Sequence, residues 1–89
     1  MKKLKDLLEE NEQVWFLIED DKSQKTAFLN WAKQNNCKWI DKVIDPQKDK
    51  CGKFMGIDSG YVLGYVGGHC WFNSTNPPQK IKFEDLIGE

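Results

Sequence analysis

Apolar residues fall at Leu4, Leu7 and Leu8, the spacing of one helix face, so residues 2–10 predict a short amphipathic helix. Its lysines lead and its glutamates trail, the reverse of what a helix dipole favours, so packing of the three leucines must hold it. Residues 14–18 (Val-Trp-Phe-Leu-Ile) are apolar at every position, the pattern of a central strand covered on both faces. Phe28 and Trp31 of a following helix are expected to cover one face. The leucines of the first helix are one candidate cover for the other, and a second copy of the chain is the alternative, which would make the protein a homodimer.

The second helix has Asp21 or Ser23 as N-cap, Ala27, Phe28, Trp31 and Ala32 on one face, and Asn35-Asn36 as its stop. Residues 38–44 alternate like a strand, with Trp39, Asp41 and Val43 on one side, and a charged loop around Lys48, Asp49 and Lys50 follows. Strands over 53–57 and 61–66 flank Asp58-Ser59-Gly60, a three-residue hairpin loop with the glycine expected in the left-handed conformation. After Gly67-Gly68, residues 69–72 read as another short strand, 73–79 as an irregular loop broken by Pro77-Pro78, 80–83 as a final strand, and 84–87 as a last turn ending at Gly88. The fold class expected is α+β: a single domain over 1–89, with an antiparallel sheet of about five strands packed on one main helix and a short N-terminal helix.

A chain of 89 residues is long enough for one core and too short for two. Thirteen basic residues, all lysine, stand against 14 acidic ones, giving a net charge of -1. That balance gives no bulk attraction to phosphate or to an anionic membrane, and without arginine the usual guanine-reading side chain is missing. The longest apolar run is five residues, far below the roughly 20 a membrane helix needs, and the acids near the start do not suit a signal peptide, so a cytoplasmic protein is expected. Residues 22–53 hold eight lysines against three acids with Trp31 and Trp39 between them, a pattern that could stack on nucleic acid. Two core tryptophans with solvating lysines outside is the preferred reading, so nucleic acid is not expected as a direct partner.

Cys37, Cys51, His69 and Cys70 supply the four donors a zinc ion requires, which makes zinc a candidate cofactor. They lack a Cys-x-x-Cys knuckle, and on a strand His69 and Cys70 would point to opposite faces unless Gly67-Gly68 forms a bulge. Three cytosolic thiols and an ordinary histidine is the competing account. His69 beside Cys70 also suggests a thiol nucleophile with its base, but neighbours on a strand rarely meet in that geometry and no orienting group is indicated, so an enzyme is not expected. Glu19, Asp20 and Asp21 read as a solvated cap before the second helix. Gly60, Gly64, Gly67 and Gly68 are not followed by the Lys-Ser/Thr of a phosphate-binding loop.

Residues 1–21 carry seven acids against three lysines, so the chain is polar along its length in a way that suits a protein partner better than a long polyanion. Tyr61, Tyr65, Trp71 and Phe72 lie beside glycines and the proline loop and are the candidate partner-binding residues.

Trp39 after a helix, the hairpin strand over 61–66, Cys70-Trp71-Phe72, and the ending Ile81-Lys82-Phe83-Glu84-Asp85-Leu86 together resemble a loose group of small accessory proteins. These are encoded by phages and prophages of low-GC Gram-positive bacteria, and some are inhibitors of host defence, including anti-CRISPR proteins. The resemblance spans about residues 14–87 and brings no catalytic set. It implies a non-enzymatic protein that binds a host effector in the host cytoplasm and blocks it. A small-ligand binder, such as a sponge for a nucleotide signal using the glycine-rich hairpin and aromatic edges, is the alternative function.

Overall fold

Five consecutive apolar side chains leave a strand no face for water, and β1 (Gln13–Leu17) accordingly lies inside the sheet. The computed structural model describes residues 4–19 and 21–87. Around β1 are α1 (Leu4–Glu10), α2 (Lys22–Gln34), β2 (Phe54–Asp58), β3 (Leu63–Tyr65), α3 (Gly68–Asn73), β4 (Gln79–Lys82) and α4 (Phe83–Ile87). Positions 2, 3 and 88 of the expected helix and last turn, and Asp20 of the acidic cap, lie outside the described residues.

The α+β class holds, but the sheet has four strands in the order β3-β2-β1-β4 and is mixed. β1 pairs antiparallel with β2, and β2 with β3, whereas β4 runs parallel to β1 because the chain crosses the sheet through α3 before returning. Two expected strands are absent. Residues 38–44 form only isolated bridges, Lys38 with Val43 and Lys38 with Val62. Residues 69–72 coil into α3, since a helix can insert Trp71 alone and leave His69, Cys70 and Phe72 outside.

Asp21 caps α2 by accepting the Ser23 N–H at 2.8 Å. Asn36 ends the helix in the left-handed region at φ 67°. In the hairpin after β2 the left-handed residue is Tyr61, at φ 62°, and not Gly60. Asp58 Oδ1 accepts the N–H groups of both Gly60 (2.9 Å) and Val62 (3.2 Å), and this side-chain turn moves the strained position one residue on.

On one face of β1, Val14 and Phe16 meet α1, α2 and α4. Leu4, Leu7, Phe28, Leu29, Ala32, Met55, Ile57 and Phe83 join them in one buried cluster. Phe16, Phe28, Trp31 and Phe83 form its aromatic centre, with ring centroids 5.1–5.9 Å apart. The leucines of α1 therefore share the face that α2 covers. The opposite face is covered not by the leucines of α1 but by α3, so helices pack on both sides of the sheet where one main helix was expected: Trp71 stacks on Trp15 at 5.9 Å and on Phe54 at 4.8 Å. Lys80 spans Trp71, its Nζ 5.1 Å above the ring and donating to the Trp71 carbonyl at 2.6 Å. Opposite Trp15 in β2 stands Gly56, where a Cβ would come within 3.2 Å of the indole and 3.1 Å of Val66, so glycine lets the ring lie across the sheet.

Candidate binding groove

After α2, the chain pairs with β3 for a single rung: the Lys38 N–H donates to the Tyr61 carbonyl and the Leu63 N–H to the Lys38 carbonyl. At that point it leaves the sheet. Trp39 turns inward and stacks on Tyr65 at 5.4 Å, and its Nε1 donates to Asp49 Oδ2 at 2.6 Å. Asp45 and Pro46 start a tight turn in which the Asp45 side chain accepts the Gln47 N–H and its carbonyl the N–H of Asp49. The turn presents the Asp49 carboxylate to Trp39, to the Asp45 N–H at 2.8 Å and to Lys42 Nζ at 3.3 Å. Tyr65 Oη closes the loop by donating to the Lys50 carbonyl at 2.8 Å.

Between this loop and β3 lies an open groove of about 520 Å³. Leu63, Gly64 and Tyr65 form one wall, Trp39 and Ile40 the other, and Lys42, Lys48 and Lys50 with Asp41 and Asp49 complete the lining. Ile40 on that wall is 85% exposed, and Val43 beside the groove is 73% exposed. Sequence reasoning missed both, because an apolar residue in a strand-like alternation reads the same whether or not a neighbouring strand covers it.

The Asp45 N–H, then the Trp39 indole, then Lys42 hold the Asp49 carboxyl below the ordinary aspartate range. Because the folded value is the lower one, the stabilisation from ionised Asp49 is complete above the ordinary aspartate value. It is lost as the pH falls through the depressed one. The Trp39 indole N–H resonance should therefore move only on acidification below the ordinary aspartate range, and Asp49→Asn should abolish that movement. A titration identical in both proteins would contradict this account.

The four partner-binding candidates are not brought together. Tyr65 lines the groove. Tyr61 is half-buried against the core, and Trp71 is the plug over Trp15. Phe72 is exposed on α3, edge-on to Phe54, across the sheet from Tyr65. Trp39 is buried and Trp31 packs half-buried against the core, but Trp39 comes from a loop and not from the paired strand expected for it. Of the glycines proposed as a pocket, Gly64 lines the groove while Gly67 and Gly68 lead into α3.

The four zinc candidates are also divided. Cys37 is buried in the core, and Cys51 packs half-buried against the same cluster. His69 and Cys70 ride on the exposed side of α3, which covers the other face. Among the described residues no three His, Cys, Asp or Glu side chains converge as a metal site. Burial, aided by Asp58, pushes the Cys37 thiol up to about 12, and burial pushes Cys51 up to about 11. Iodoacetamide at neutral pH should accordingly label exposed Cys70 first and spare Cys37 until the protein is unfolded. Equal labelling rates by mass spectrometry would refute that order.

No helix among the described residues is long and apolar enough to cross a membrane. No protein family, curated protein or solved structure matches the chain.

Proposed function

We propose that this is a non-enzymatic accessory protein of phage or mobile-element origin that binds a host defence factor in the host cytoplasm and inhibits it by occupying its surface. A CRISPR effector is the first candidate. The origin rests on the sequence resemblance, and the mode of action on one observation: Ile40 and Val43 project into solvent from a loop anchored by Trp39, Asp49 and Tyr65. Apolar side chains on a braced loop lose little conformational freedom when they dock, which is how binding anchors work. Mixing the protein with purified CRISPR effectors should give a co-eluting complex with reduced target cleavage. Ile40→Asp with Val43→Asp should abolish both effects without lowering the melting temperature. Full cleavage by every effector tried, or turnover of a metabolite by the pure protein, would overturn the proposal.

The groove itself favours a second reading. Its volume of about 520 Å³ lies within the usual small-ligand range, and an exposed Tyr65 with Lys48 and Lys50 nearby, against one carboxylate at Asp41, suits a nucleotide. Calorimetry against a nucleotide panel separates the two, since micromolar binding of one nucleotide would favour the sponge.

A further inference from the structure

The groove is a β-ladder that stops after one rung. Asp58 N–H bonds to the Val62 carbonyl and Val66 N–H to the Phe54 carbonyl, so the even-numbered positions of β3 face β2. Leu63 and Tyr65 consequently turn their backbone groups outward, and the Leu63 N–H already meets the Lys38 carbonyl. The next rungs of that parallel pairing would run from the Ile40 N–H to the Leu63 carbonyl and from the Tyr65 N–H to the Ile40 carbonyl. The chain instead bends at Ile40 so that Val43 bridges back to Lys38. The Leu63 carbonyl and both backbone groups of Tyr65 are thereby left facing the groove.

Exposed edges of this kind attract strands, and proteins commonly guard them with lysine or proline. The opposite edge of this sheet has such protection: β4 carries Lys80 and Lys82 and follows Pro77-Pro78. Gly64-Tyr65 has none within the strand. The charges stand instead across the groove, where Lys42 pairs with Asp49 and Lys48 and Lys50 stand against the single carboxylate of Asp41, a small excess of positive charge, while the Asp49 carboxylate is turned to Trp39 and the Asp45 N–H. A strand entering there would place alternate side chains against Leu63, Tyr65 and Ile40, and that excess would favour acids on it.

We propose that the open edge of β3 receives an extended segment of the partner protein, apolar and acidic in alternation, as an added strand of the sheet. This rests on the reading of the molecule as a protein-binding inhibitor and specifies how it binds.

The test uses the whole protein, isotopically labelled, and a synthetic peptide of alternating valine and glutamate. Adding the peptide should shift the Gly64 and Tyr65 amide resonances and slow exchange of the Tyr65 N–H by about tenfold at saturation. Methylating alternate backbone nitrogens of the peptide, or replacing its glutamates by lysines, should each weaken binding by about tenfold or more, the loss expected for a main-chain hydrogen bond or a reversed charge. Equal binding of the methylated peptide, or shifts confined to α3 around Phe72, would overturn edge pairing. Protection of Tyr65 that rises with protein concentration and no peptide would assign the edge to a second copy and also overturn it. An effector complex that needs Ile40 yet leaves Tyr65 N–H exchange unchanged would refute the added strand while sparing the inhibitor reading. Failure of every effector complex, with the peptide still bound at Tyr65, would do the opposite.

Discussion

Leu7→Asp is expected to cost several kcal/mol, or to free α1 from the domain altogether. Leu7 is 1% exposed and lies with Leu4 in the cluster that also holds Val14, Phe16 and Phe28. Losing a buried leucine side chain alone costs about 2–5 kcal/mol, and a carboxylate placed there without a partner adds its own desolvation. α1 has no compensating strength, since it spans seven residues and carries no basic residue in its last turn. A domain of this size is worth about 5–10 kcal/mol in total, so most of the stability is at stake. Thermal melting followed by circular dichroism checks it. An unchanged melt would mean that α1 contributes nothing to the core.

Phe16→Ala should come next. The ring sits in an inner strand, 5.4 Å from both Phe28 and Trp31, and is fully buried. Removing a core phenylalanine costs about 3–5 kcal/mol, because the cavity closes only in part, and each lost aromatic pair adds about 0.5–1.5 kcal/mol. At roughly 4–8 °C per kcal/mol for a domain of this size, the melting temperature should fall by some 15 °C or more. Phe16→Leu, which keeps most of the volume, should lose far less. Equal losses for the two variants would show that the four-ring centre has no special packing to lose.

The features legible in the sequence were those decided by pattern alone. Residues 14–18 announced a two-faced strand, and Phe28 and Trp31 at helical spacing announced its cover, because those choices follow from burial at fixed periodicity. The second cover could not be read, since Trp71 reaches Trp15 through a helix where His69-Cys70-Trp71-Phe72 has strand-like composition. Residues 38–44 failed for a different reason. Their alternation is real, but Trp39 is drawn in by Asp49, ten residues on, and by Tyr65, and that pull breaks the ladder after Lys38. Tyr65 was legible as a candidate surface aromatic. Ile40 and Val43 were not, for their exposure depends on a broken pairing that no local signal records.

The parallel pairing of β1 with β4 sets the order in which the molecule can be completed. Val14 faces Ile57 on one side and Gln79 on the other, so the first strand synthesised waits for partners made about 40 and 65 residues later. Local contacts cannot close this sheet, which places the protein among slower folders for its size and makes completion of the fold a late event in synthesis. During that interval residues 14–18, β-prone, uncharged and free of proline, have the character of an aggregation-prone segment. A chain stopped before position 79 would therefore leave Trp15 and Phe16 on an unpaired sheet edge, which recruits other chains and does not yield a smaller folded domain.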